Sequence, residues 1–268
     1  MRILIIGSTG FIGLHLLSTA AAHGIEVVTL SRSGELKNGA VQAYQWTFGQ
    51  PVPAAACDGI SCAIHLAHDF EGAAGAKLTL DSTVAIAEQL HTAGIQRQLF
   101  FSSYSSGKHA SSIYGKTKYA IEEAIGERVG MVIIRPGLVL GEGGLYGRIR
   151  KWARILPVVP LPDGGMGMVP VIEVEKLCEL TLKLALSPSP PSEANLFEVD
   201  LKSLRQLVLE AAAEFDRRPW IFPIPASWLT GFFSLASRLR LPLPVNGDNL
   251  AGFIANQSAN HRSTLHRV

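Results

Sequence analysis

The sequence predicts an α/β protein, a doubly wound parallel sheet with a small C-terminal lobe, and three observations carry this. The run Arg2-Ile3-Leu4-Ile5-Ile6 empties into a glycine loop that opens a helix. Strand-like and helix-like segments then alternate through about residue 140, and glycine and proline punctuate the chain beyond it. The 268 residues, 47% hydrophobic and 17% charged with mean hydropathy +0.24, suffice for one large core and a smaller one.

The first strand stops at Gly7-Ser8-Thr9-Gly10-Phe11-Ile12-Gly13. Glycines at 7, 10 and 13 let the backbone turn tightly, approach a pyrophosphate, and seat the new helix against its strand. The helix N-terminus offers free N–H groups to the anion. An ordinary strand-to-helix turn is the alternative, but the flanks suit a dinucleotide: a β-branched strand precedes the loop, and Ile12, Leu16, Leu17 and Ala20 follow before Gly24 ends the helix.

Glu26 to Leu30 is the second strand, and it ends in Ser31 and Arg32. In such a fold this strand end meets the adenosine ribose, through a carboxylate for NADH or a cation for the 2′-phosphate of NADPH. Here there is no carboxylate, and Ser31 with Arg32 favours NADP(H), with NAD(H) the alternative. Further strands are expected at Val41 to Trp46, Cys62 to Ala67, Leu99 to Phe101 and Val129 to Ile134. Asp81 or Ser82 is placed to cap a helix whose apolar face is Val84, Ile86, Ala87 and Leu90, closed by Gly94.

After the serine cluster Ser102-Ser103-Tyr104-Ser105-Ser106 comes Tyr114-Gly115-Lys116-Thr117-Lys118, opening an amphipathic stretch. Tyr114 and Lys118, four apart, share one helix face. A phenol of pKa about 10 is a poor base at neutral pH, but a nearby ammonium favours phenolate, which would let Tyr114 pass a proton while a cofactor passes a hydride. An exposed amphipathic pair is the alternative; the position, between two strand ends on the ligand-binding edge, favours chemistry.

Taken together, the glycine loop, His65-Leu66-Ala67, Phe101-Ser102-Ser103, Tyr114 to Lys118, Arg135-Pro136-Gly137 with Gly141, and Val169 to Val174 resemble the extended or atypical short-chain dehydrogenases/reductases called NAD-dependent epimerase/dehydratase-like. These blocks span about residues 1 to 200. The resemblance implies a Rossmann fold and Ser-Tyr-Lys chemistry. Tyr114 would be the acid/base, Lys118 the residue lowering its pKa and holding the nicotinamide ribose, and residues 7–13, Ser31, Arg32, Leu66, Ala67 and Pro136 the cofactor contacts. The serine is displaced: the family's usual position carries Tyr104, so Ser103 is assigned and Ser105 is the other candidate. The short interval from Ser106 to Tyr114 departs from sugar-nucleotide epimerases, and Val174-Glu175-Lys176-Leu177 stands where the family often has His and Asp.

The expected organization is a dinucleotide-binding domain at 1–140 and about 168–200, with a substrate lobe at about 141–167 and 201–268. Arg148, Arg150, Lys151, Trp152 and Arg154 in the lobe are candidates for contacting a phosphorylated substrate, or else form a solvated helix face. A last sheet-like piece at Leu196 to Val199 and a helix from Ser203 to Phe215 precede aromatics from Trp220 to Phe233, broken by prolines, and a polar tail expected to be frayed or partner-dependent. A net charge of +2 does not point to nucleic acid, and no apolar run reaches the length of a transmembrane helix. Three cysteines without a CxxC pair indicate neither a disulfide framework nor a metal site, and with no room for a cleavable signal before the first strand a cytoplasmic protein is expected. The expected partner is a small carbonyl, alcohol or nucleotide-sugar-like substrate, and the resemblance extends to a homodimer. A non-catalytic NADP(H)-binding redox sensor or assembly protein is the rival function; the intact Tyr114/Lys118 pair argues against it.

Overall fold

The computed structural model describes residues 1–225 and 261–267. A parallel sheet forms from β1 (Arg2–Ile6), β2 (Glu26–Ser31), β3 (Gln42–Gln45), β4 (Cys62–His65), β5 (Arg97–Phe101), β6 (Met131–Pro136) and, after the smaller pieces named below, β11 (Glu193–Leu196). Their order, β11-β6-β5-β4-β1-β2-β3, changes direction between β1 and β4, so the carboxyl ends of those strands flank a crevice. This is the Rossmann-like α/β fold expected from the alternation.

Period-two alternation splits the core into two faces. Ile3 and Ile5 pack with Leu16 and Leu17 of α1 (Phe11–Ala22) and Leu177 of α5 (Val174–Leu186). Leu4 and Ile6 point the other way, towards Ile86 and Leu90 of α2 (Gly72–Thr92). On that same side Ile121 and Ile125 of α3 (Ile113–Ile125) meet Phe100 and Ile133.

Several boundaries differ from the sequence expectation. Helix α2 begins nine residues before Asp81, because its first turns are small and lie close to a loop: a Cβ on Gly75 would sit 2.6 Å from Asp69 Oδ1. Ser82, which resembles a cap, is buried mid-helix and accepts a hydrogen bond from Gly49 N–H at 2.9 Å. Strand β6 starts at Met131, since Val129 is exposed and Gly130 turns with φ +81°. Strand β11 precedes Val199 altogether. Ser203 is a true N-cap, forming a capping box with Gln206 at the head of α6 (Leu204–Ala213).

Between β6 and α6 lie β7 (Leu138–Leu140), α4 (Gly144–Ile155), β8 (Val158–Pro162), β9 (Met168–Val169), β10 (Val171–Glu173) and β12 (Lys202–Ser203). Strand β8 pairs in parallel with β13 (Trp220–Ile224), and α4 and α6 cover the pair with a separate core that includes Ile149, Val159, Leu207 and Ile221. Residues 261–267 are not frayed. Thr264 exchanges hydrogen bonds with Asn195 of β11, Ser263 Oγ donates to Phe197 O, and Leu265 joins the core. The aromatic stretch from Trp228 to Leu243 lies outside the described residues. Cys62 and Cys178 are buried, Cys57 is half-buried, and all three are free. No helix among the described residues is long and apolar enough to cross a membrane.

The sheet interior carries one titratable device. His65 Nε2 shares a 2.9 Å hydrogen bond with Gln98 Oε1 on the adjacent strand, and the Gln98 amide donates to Ala87 O and Ile95 O. Burial pushes the imidazole down to about 4. Between that value and the ordinary 6.5 the unfolded chain binds a proton that the folded one refuses, so stability falls as pH drops through this window. Urea midpoints at pH 7 and 4.5 should show a loss to which His65 contributes on the order of 2 kcal/mol. His65→Asn should flatten the profile; identical profiles for the two proteins would refute the assignment.

Candidate active site

A cavity of about 800 Å³ opens at the carboxyl ends of the sheet strands. Its floor is the glycine loop. Gly7 turns with φ +93°, and a Cβ there would lie 2.6 Å from the Ala67 nitrogen, so only glycine lets the β1 loop meet the end of β4. At Gly13 a Cβ would approach Ser8 O to 2.7 Å, which is how α1 seats against its strand. Gly10 caps α1 without a side-chain hydrogen bond, and no acidic residue occupies the first turn, so the N–H groups of that 12-residue helix remain suited to an anion.

Of the sequence-predicted cofactor residues, Gly7, Thr9, Gly10, Phe11, Ile12, Gly13, Ser31, Arg32, Leu66, Ala67, Lys118 and Pro136 all line this cavity. Ser8 does not; it is buried beneath the loop by the close seating of α1. At the end of β2, the buried Ser31 hydroxyl accepts from Gly34 N–H, and Arg32 is exposed. These features fit a dinucleotide: a cradle closed to any Cβ, a bare helix N-terminus, and no carboxylate at the β2 end.

The predicted catalytic residues converge on the same cavity. Ser112 caps α3 through its side chain and Gly115 N–H, which sets Tyr114 in the first turn and Lys118 one turn later. Lys118 is almost wholly buried and donates to Phe101 O at 2.6 Å, with its Nζ 5.6 Å from the Tyr114 ring centre. Burial lowers the amine to about 7, although Glu122 pulls the other way, and burial raises the Tyr114 phenol to about 12. Burial therefore holds the Tyr114 phenol in its neutral form; the phenolate expectation concerned the ring beside both an ammonium and a nicotinamide.

In the serine cluster, Ser103 Oγ and Ser105 Oγ lie 2.9 Å apart, and Ser103 Oγ also accepts from Ser105 N–H. Tyr104, at the family's usual serine position, sets its ring edge-on to Phe197 and His261. Ser102 is committed to Glu122, whose carboxylate also receives Nε and Nη2 of Arg135 at 2.7 to 3.1 Å. Arg135 reaches on to Glu193 of β11. This buried cluster, invisible as a motif, locks α3 to β5, β6 and β11.

The sequence also missed His68 and Phe70, which follow β4. Phe70 stacks on Tyr114 with centres 5.8 Å apart and planes at 14°, and His68 stands edge-on to both rings at 4.6 and 4.7 Å. The one available signal was position, directly after a strand ending at the crevice. Of the basic lobe candidates only Arg148 lines the cavity. Arg150 pairs with Glu142 and Glu214, and Arg154 lies over the Phe215 ring. No group of three or more His, Cys, Asp or Glu among the described residues is placed to hold a metal.

Fold and cavity together define a Rossmann-like α/β protein with a glycine-loop cavity at the carboxyl ends of its parallel strands. The profile of the NAD dependent epimerase/dehydratase family matches residues 3–155, more than half of the sequence, and the chain belongs to that family of enzymes. No curated protein matches it. Among solved structures, MoeE5 in complex with UDP-glucuronic acid and NAD is similar at 19% identity, over 96% of this chain and 99% of that one, with a TM-score of 0.70. UDP-glucose 4-epimerase from Thermotoga maritima, with UDP-glucose, is 18% identical over 96% and 98% at 0.68. A nucleoside-diphosphate-sugar epimerase from Staphylococcus aureus is 13% identical over 100% and 94% at 0.70.

The buried cluster behind α3 makes a stability prediction. Arg135→Met should strand the Glu122 carboxylate and cost about 3–5 kcal/mol. Removing both charges, as Glu122→Gln with Arg135→Met, should restore part of that loss in urea unfolding. A double-variant loss equal to the sum of the two single losses would show the two side chains to be energetically independent.

Proposed function

We propose that the chain is an NAD(P)-dependent oxidoreductase or epimerase acting on a carbonyl or alcohol compound, with Tyr114 as its acid/base. The observation that carries this is the opening of the glycine loop and the Tyr114/Lys118 face onto one cavity. Gly7, residues 9–13, Leu66, Ala67, Lys118 and Pro136 would hold the dinucleotide, its pyrophosphate lying at the α1 N-terminus. When bound, the nicotinamide supplies hydride exchange at its C4. We assign residues 1–140 and about 168–200 to cofactor binding, and about 141–167 with 201–268 to the substrate.

Tyr114, neutral at pH 7, gives its phenolic proton to the substrate oxygen in the reducing direction and recovers it in the oxidizing direction. Lys118, anchored on Phe101 O, sets a cation beside the ring when protonated and so eases loss of that proton. Ser103, with Ser105 beside it, presents a hydroxyl to orient the substrate oxygen. Ser31 and Arg32 at the β2 end support NADP(H) as the preferred cofactor. NAD(H) is the alternative, supported by the NAD in the MoeE5 complex. Nucleotide sugars, which that protein and the Thermotoga enzyme bind, are one substrate class to test.

Calorimetric titration with NADPH and NADH tests the cofactor assignment. Arg32→Ala should weaken NADPH binding about 10- to 100-fold and leave NADH binding unchanged; equal effects on the two would refute the 2′-phosphate assignment. Tyr114→Phe should bind cofactor normally yet lose about 10²- to 10⁴-fold in carbonyl reduction. Undiminished turnover would remove Tyr114 from the chemistry.

A further inference from the structure

Beside Tyr114 the cavity carries two side chains with no role so far. His68 makes no hydrogen bond among the described residues, and its Nδ1 is buried without a partner. Burial, with Lys118 nearby, pushes the imidazole down to about 3, so the ring is neutral across the physiological range. The Nδ1 is closed to the cavity, so the nitrogen that the ring can offer to a ligand there is Nε2. Phe70, meanwhile, lines the cavity while 63% exposed, although its stacking on Tyr114 holds the ring in a defined orientation.

A flat, uncharged ring needs an aromatic face, and one is present.

We infer that the substrate is a carbonyl compound bearing a flat aromatic or conjugated group, which lies against Phe70 and receives a hydrogen bond from His68. This rests on the proposed function, of which it names the substrate class. Phe70 is then the residue that selects the ring, and His68 a second polar contact beside the Tyr114 hydroxyl. Neutrality suits His68 to this, because a ring that does not charge does not repel Lys118 and can donate to a carbonyl oxygen through one nitrogen.

The test uses the full chain saturated with NADP⁺, which cannot reduce a ketone, and measures binding of 2-acetonaphthone and of UDP-glucose by calorimetry and ligand-observed NMR. The ketone should bind, and UDP-glucose should bind more weakly or not at all. Phe70→Ala and Phe70→Leu should each weaken the ketone about tenfold, since both lose the flat face. His68→Phe should weaken it about three- to tenfold, with His68→Gln closer to wild type. NADP⁺ affinity, unchanged in each variant, certifies the fold. Tighter binding of UDP-glucose than of the ketone, or ketone binding within twofold of wild type in the Phe70 and His68→Phe variants, would overturn the inference while leaving the proposed function standing. Failure of the wild-type chain to bind either nicotinamide cofactor would overturn both together.

Discussion

The catalytic geometry depends on one buried carboxylate. Glu122 lies one turn beyond Lys118 on α3 and is nearly inaccessible, and a charge so placed is tolerable only because Arg135 and Ser102 saturate its oxygens. Those partners come from β5 and β6, so the carboxylate fixes both the height and the rotation of α3 against the sheet. Tyr114 and Lys118 inherit that placement. Lys118 in turn gives a hydrogen bond to the last carbonyl of β5, which leaves the amine aligned while burial strips most of its preference for charge. The result is a phenol kept neutral by burial and an amine shifted down by burial, held in register on one helix face.

The two ends of the cavity are built on different principles. At the glycine end, backbone does the work: β1, β4 and α1 meet at van der Waals limits, and a helix terminus faces the space between them. At the other end, side chains do it, with stacked and edge-on rings around Tyr114. The fold that positions the glycine end is shared with solved structures of below 20% identity. Side-chain surfaces are free to change with the molecule they recognize.

Much of this was legible in the sequence because it is local. Gly7, Gly10 and Gly13 at fixed spacing after a strand, and Tyr114 with Lys118 on one helical face, are patterns that a few covalently linked residues settle among themselves. The Glu122–Arg135–Glu193 cluster was not legible: Arg135 opens a recognizable block, but its partners come from a helix and another strand with nothing in their flanks to mark them. The start of α2 was misjudged for a related reason: Ser82 has the chemistry of a cap, but tertiary contact with Gly49 claimed its hydroxyl, and small residues from Gly72 onward allowed the helix to run past it. Spacing reveals that a cation is near Tyr114 while saying nothing of the water that is missing, so the rise of its phenol was not legible.

Residues 261–267, hydrogen-bonded along β11, set an order on biosynthesis. Strand β1 sits at the middle of the sheet and is made before the other strands, so the central strands can associate as they emerge. The outer edge of β11 stays an open row of donors and acceptors until Thr264 arrives to pair with Asn195. The same segment carries His261, whose ring, 155 positions beyond Ser106, binds the Ser106 carbonyl in the loop that holds Ser103 and Ser105. The serine loop therefore gains its His261 contact only after residues more than 150 positions further along have been made.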